Sequence, residues 1–312
     1  MKLLTGLCLI LISYVAMGQS YKGIYVDGFK RILNDTSAQD SLLNYAQQHA
    51  VTTLTLYELF QVHQQHDLTQ SASAQILANF IYKAKTQYGI QEISATGENY
   101  WFFNTVIAPY NSTHTLWEER IDVYNLEFEF WNTNPAIRDY YSNTYLIPNG
   151  FSPNTSGAYS FYLTQLQQIK QQAANDNVLT ETYIGWIDSV PVAGILASAD
   201  RVLLHAYVNK PSKAFSYAKA RLEVLGNTLY KANIIVLFSA ETNFLGPYLN
   251  SNGMDAVYQN FTDSYEQANG NWKKSVSLLG QQWFAYSHLP YSGLLKPLPA
   301  STAVIPAGYT IG

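Results

Sequence analysis

Ile121-Asp122-Val123-Tyr124-Asn125-Leu126-Glu127-Phe128-Glu129-Phe130-Trp131 alternates in side-chain character at almost every step. In an extended chain successive side chains face opposite ways. Asn125, Glu127 and Glu129 therefore share one face, and Leu126, Phe128 and Phe130 the other. One acidic and one apolar face suit a barrel strand, with the apolar face under a layer of helices and the acidic face in the lumen. Two carboxylates two residues apart repel when both are ionised, which raises one pKa and leaves a proton donor at neutral pH. A salt-bridged pair closing the barrel bottom is the alternative. The long connection that follows this strand places the pair at the top instead.

Strand-like and helix-like runs alternate outward from this stretch in both directions. Strands are expected at Lys22–Phe29, Thr52–Leu59, Gln91–Glu98, Ile121–Trp131, Thr180–Asp188, Arg201–Asn209, Asn233–Glu241 and Leu278–Tyr286. Between them Ser41–Ala50, Ala74–Tyr88, Tyr159–Ala174, Lys213–Lys231 and Met254–Ala268 carry apolar residues at helical spacing. The third and fifth connections are less regular. Eight such units without a linker predict an α/β fold, a single-domain (β/α)8 TIM barrel over residues 19–290. The connections Asn132–Ser156 and Thr242–Gly253 are long and polar-aromatic. Loops leaving the carboxyl ends of barrel strands build the active face, so these two predict a lined cleft. Residues 291–312 are rich in Pro and Ala and read as a tail.

The first residues read as an export signal: Lys2, an apolar run from Leu3 to Val15, and the small-x-small site Ala16-Met17-Gly18. A signal over residues 1–18 implies a secreted or periplasmic chain beginning near Gln19. Cys8, the single cysteine, lies inside that segment with no lipobox before it, so disulfide and thiol chemistry are not expected. No later run is long and apolar enough for a membrane span. The formal charge of -4 is mild and Lys and Arg are scattered, which argues against a nucleic-acid surface. The chain holds 25 Tyr and 6 Trp, rings that serve either as platforms for the apolar faces of sugars or as ordinary loop packing.

The fourth-strand stretch resembles the family-18 glycoside hydrolases, the chitinase and endo-β-N-acetylglucosaminidase group. Their motif runs D-x-x-D-x-D-x-E. Asp122 and Glu129 match it, Asn125 and Glu127 replace the two middle aspartates, and Val123 stands where a glycine often follows the first Asp. Ser94-Ala95-Thr96-Gly97 resembles the S-x-G-G end of the family's third strand, His205-Ala206-Tyr207 the M-x-Y of the sixth, and Trp283 the tryptophan that floors the sugar subsite on the eighth. The resemblance implies substrate-assisted hydrolysis at a β-linked N-acetylglucosamine. Glu129 would protonate the leaving oxygen, Glu127 would orient the acetamido N–H, and Tyr207 would hold its carbonyl oxygen, with Asn125 and Asp122 completing the set.

Other strand ends carry further candidates. Tyr25, Ser94, Glu98, Glu241 and Trp283 are read as substrate-binding, and Asp27, Glu58 and Asp188 as rim residues. Glu241 could also serve as nucleophile opposite Glu129, as in retaining two-carboxylate barrel glycosidases, where the pair lies roughly 5 Å apart. His63 and His66 lack a third metal ligand by spacing, no P-loop is present, and no Ser lies in a G-x-S-x-G elbow. No metal or cofactor is implied. The expected partner is a carbohydrate, either cleaved by the barrel or bound without cleavage.

Overall fold

The computed structural model describes residues 21–290 apart from 188–189. The expected export signal and tail, and the rim candidate Asp188, lie outside the described residues. Eight parallel strands close in sequence order: β1 Tyr21–Val26, β2 Thr53–Leu56, β3 Glu92–Gly97, β4 Val123–Leu126, β5 Leu179–Ile184, β6 Arg201–His205, β7 Ala232–Ser239 and β8 Val276–Phe284. Among the described residues the helices that follow or precede the strands on the outside include α1 Thr36–Gln48, α2 Ser71–Tyr88, α3 Thr155–Asp176, α4 Ala193–Ser198, α5 Ala214–Gly226 and α6 Met254–Gln267. The chain is a (β/α)8 barrel. The irregular third connection consists of short helical pieces between Tyr100 and Thr113, and the fifth holds the six residues of α4.

Local signals place these helices. Asp35 caps α1 by accepting from the backbone N–H of Ser37 and Ala38, and Asn154 caps α3 by accepting from Gly157. Gly89, at φ 75°, ends α2 in the left-handed region that a side chain disfavours. The buried stripe of α2, Ala74, Leu77, Ala78, Phe80, Ile81 and Ala84, has helical spacing and packs on the outward strand faces.

The lumen is filled in layers. At its floor Arg201 pairs through Nε with Glu181 at 2.6 Å and through Nη2 with Glu92 at 2.7 Å, and its guanidinium lies over the Tyr21 ring. Asn125 donates to Glu181 at 2.5 Å. Alongside, the Tyr21 hydroxyl donates to Gln282, and Gln282 to Thr55 at 2.8 Å. Above the floor Tyr25, Tyr57, Tyr183, Leu203, Ile235 and Leu237 form an apolar layer separate from the main core between barrel and helices.

One irregularity sets which residues of β8 enter that lumen. Ile234 pairs with Leu278, but Ile235 pairs with Gly280, so Leu279 is bypassed. Such a bulge reverses the inside-outside alternation beyond it. Gly280 makes the close approach possible, since a Cβ there would stand 1.9 Å from the Tyr21 carbonyl oxygen.

Replacing Arg201 by Met leaves Glu181 sealed in the floor without its cation. Urea denaturation is expected to show a loss of about 3–5 kcal/mol, partly recovered when Glu181→Leu is added. A change under about 1 kcal/mol would mean that the floor does not depend on this pair.

Candidate active site at the barrel mouth

β4 is shorter than its sequence pattern: the ladder covers Val123–Leu126, and the backbone turns after Phe128, with Phe130 N–H donating to Phe128 and Asn132 N–H to Glu129. The alternation of faces nevertheless persists. Phe128 and Phe130 pack into the helix layer, while Glu127 and Glu129 are half-buried at the carboxyl end of the barrel. Glu127 accepts from the Tyr57 hydroxyl. Glu129 accepts from the Asn132 side chain and the Tyr183 hydroxyl, and its backbone N–H donates to the Tyr141 hydroxyl at 3.2 Å.

Burial governs the proton affinity of this group of carboxyls. Burial pushes Glu127 up to about 8, with the charges of Glu129 and Glu98 adding to the shift and the Tyr57 hydrogen bond opposing it. Glu98 is pushed up to about 7 by burial, against hydrogen bonds from Tyr145 and Tyr140, with Glu129 adding to the rise. Glu129 is also raised by burial, against Asn132 and Tyr183. Near neutral pH Glu127 therefore keeps its proton, through burial first and the neighbouring carboxyls second, where the sequence reading relied on repulsion alone.

The sequence candidates separate into three groups. Glu127, Glu129, Glu98 and Tyr207 come together at the mouth, where Tyr207 lies under the electrostatic influence of Glu127, Glu241 and Glu129. Glu241 follows β7 and accepts from Ser239 Oγ at 2.9 Å. Tyr25, Ser94 and Asn125 stand lower and fully enclosed: the Tyr25 hydroxyl and Ser94 Oγ have no hydrogen-bond partner among the described residues, and Asn125 is bonded into the floor.

Two expectations need correction. Asp122 lies at the opposite end of the barrel, where it pairs with the enclosed Lys85 at 2.8 Å and accepts from Ile93 N–H at 2.7 Å. Trp283 is 0% exposed and faces the helix layer, packed on Phe238 at 5.1 Å with its indole N–H donating to Gln281. The bulge at Leu279 and Gly280 explains the second: counted from Leu278 without it, Trp283 would point inward. Phe284 occupies the lumen position instead, against Tyr25, Tyr57 and Tyr207 at 5.8, 6.0 and 6.3 Å between ring centres.

The remaining candidates have structural partners. Asp27 accepts from Ser287 N–H at 3.0 Å, and Glu58 accepts from Lys30 N–H at 3.3 Å. His63 accepts from Leu68 N–H and His66 contacts Asn34, and no cluster suited to a metal ion occurs among the described residues. No described helix is long and apolar enough to cross a membrane. Tyr57 and Tyr183, the hydroxyls that touch the two β4 carboxyls, were not singled out in the sequence. Period-two counting from Thr53 and Thr55, and from Glu181, would have put them on the inward face.

No family model matches the chain, and no curated protein matches it. Among solved structures it is similar to a type I 3-dehydroquinate dehydratase from Clostridium difficile, at 9% identity over 72% of this chain and 77% of that one with a TM-score of 0.39. A 3-keto-D-glucoside 4-epimerase from E. coli aligns at 10% identity over 85% and 91%, with a TM-score of 0.41. A D-psicose 3-epimerase aligns at 11% identity over 84% of each chain, again with a TM-score of 0.41. Similarity this weak bears on no residue and no activity. The carboxyl cluster has to be read from its own geometry.

Because the folded state holds the Glu127 proton more tightly than the unfolded chain, the folded form binds more protons between the ordinary value of 4.5 and about 8. The contribution to stability is complete below that window and is lost as pH rises through it. Chemical denaturation at pH 5 and pH 8 should show wild type losing stability across the interval and Glu127→Gln losing less. Equal slopes would mean that Glu127 ionises normally. Trp283→Ala should cost about 3–5 kcal/mol through an unfilled core volume, and a weaker glycan affinity at unchanged stability would contradict its placement in the wall.

Proposed function

We propose that this barrel is a glycosidase acting on a β-linked N-acetylglucosamine glycan, with Glu129 as the proton donor. The observation that carries the reading is the pair Glu127 and Glu129 on one side of the chain at the barrel mouth, both with raised proton affinity, bonded to Tyr57 and Tyr183 and near Tyr207. A sugar leaving group needs a proton as its bond to the anomeric carbon breaks, and a buried carboxyl with raised proton affinity is suited to supply it. In the substrate-assisted route implied by the family-18 resemblance, the substrate's acetamido oxygen attacks that carbon. Glu127 then accepts from the acetamido N–H, and Tyr207 donates to its carbonyl oxygen. The resemblance is supported at Glu127, Glu129 and Tyr207 and not at Asp122, which lies at the far end of the barrel, or at Trp283, which lies in the barrel wall.

A glycan-binding barrel without hydrolysis is the second reading, and the filled lumen favours it. Tyr57 occupies Glu127, Phe284 fills the layer beside them, and Asn125 is committed to Glu181. The retaining two-carboxylate reading has Glu241 at the same end of the barrel, bonded to Ser239.

Chitin oligomers, N-glycans and peptidoglycan fragments offered to the purified chain decide among these. Glu129→Gln is expected to lower kcat by about 10²–10⁴ while leaving affinity nearly intact, because the amide keeps size and hydrogen bonding but delivers no proton. Cleavage that survives Glu129→Gln and disappears with Glu241→Gln would favour the two-carboxylate reading. Binding without cleavage at any pH from acid to neutral would favour the non-catalytic one.

A further inference from the structure

Glu98 directly follows β3 and is 5% exposed, a carboxyl group that the reaction above leaves unused. Enclosing such a group is costly unless hydrogen bonds or a proton satisfy it. Its Oε2 accepts from Tyr140 at 2.9 Å and from Tyr145 at 2.5 Å, and those two hydroxyls lie 3.2 Å apart. Both tyrosines belong to the segment after β4, which runs from a helix at Pro135–Tyr141 into a π-helical turn at Ser142–Leu146. Residues five apart diverge by about 140° around an α-helix. A π turn brings them back to one side, and such turns are frequent at functional sites. Between the two, Tyr141 stacks on Phe128 at 4.1 Å, and its hydroxyl accepts the backbone N–H of Glu129.

We propose that Glu98 is a positioning residue for Glu129: by holding Tyr140 and Tyr145 it fastens the segment after β4 to the end of β3, and so fixes the backbone from which Glu129 stands at the mouth. Its catalytic meaning rests on the reading of Glu129 given above. The titratable groups facing Glu98 are Tyr140, Tyr141 and Tyr145 from that segment and Glu127 and Glu129 from β4 and its end, with no cation among them. Burial brings its own carboxyl up to about 7. Across the neutral range it passes between acid and carboxylate, and either form can accept both hydroxyls. Glu98 thus keeps the tether in place while its charge adds to the proton affinity of Glu127.

The test compares Glu98→Gln, Glu98→Ala and Tyr145→Phe in the full chain, by hydrogen exchange and by carboxyl ¹³C NMR titration. Gln retains an acceptor for the hydroxyls and carries no charge, whereas Ala retains neither. Amides across residues 129–147 are expected to exchange at least about tenfold faster in Glu98→Ala, to stay within about threefold of wild type in Glu98→Gln, and to fall between in Tyr145→Phe. Glu127 should titrate at lower pH in Glu98→Gln, because one negative neighbour is gone, a shift that a purely structural tether would not produce. Unchanged exchange in Glu98→Ala and Tyr145→Phe, or an unchanged Glu127 midpoint in Glu98→Gln, overturns the proposal. If Glu98→Ala does not fold, Tyr145→Phe and Glu98→Gln decide it. Neither measurement requires turnover, so a chain that cleaves no glycan would remove the proposed reaction and leave this role to be judged separately.

Discussion

A guanidinium enclosed by a barrel must be paired, and the pairing of Arg201 organises the lumen. Glu92 on β3 and Glu181 on β5 reach it from different strands, and Asn125 on β4 completes Glu181. Each of these groups would be costly alone, so the set holds only in the register that brings β3, β4, β5 and β6 together at this level. With the floor satisfied by side chains, the layer above is free to be apolar, and rings from β1, β2 and β5 fill it together with Leu203, Ile235 and Leu237.

The character of the mouth follows from that layering. Asp122 and Glu127 belong to one short stretch, and burial raises the proton affinity of both, yet their neighbours differ. At the base, Lys85 and the Ile93 N–H answer Asp122 as a carboxylate. At the top, Glu127 is buried beside two further carboxyls, which favour the protonated form, and only the neutral Tyr57 hydroxyl opposes them. The base stabilises the fold, whereas the mouth holds groups suited to proton transfer.

Periodicity exposed the architecture well, because each barrel strand must present alternating faces and each covering helix an apolar stripe. The eight strands lie at the expected places, and Glu127 and Glu129 stand on the expected side of the fourth. The positions that eluded sequence reading share a physical cause. Asp122 matched a motif by letter, but strand direction decides which end of a barrel a residue occupies, and its place one residue before β4 puts it at the base. Tyr140 and Tyr145 meet on Glu98 only because a π turn alters the helical spacing, and nothing in their composition announces that turn.

The bypassed Leu279 has a consequence for how this barrel can vary. Beyond it, membership of the inner or outer face in β8 is set by which residue pairs with Ile235. Deleting Leu279 would leave the pairing beyond it unchanged, whereas pairing Leu279 with Ile235 would exchange two finished surfaces: Gln281 and Trp283 would turn inward, and Gln282 and Phe284 would turn toward the helices. The extra residue works as a latch on the upper half of β8: while it stays out of the ladder, Gln282 and Phe284 face the lumen and Trp283 is held in the wall.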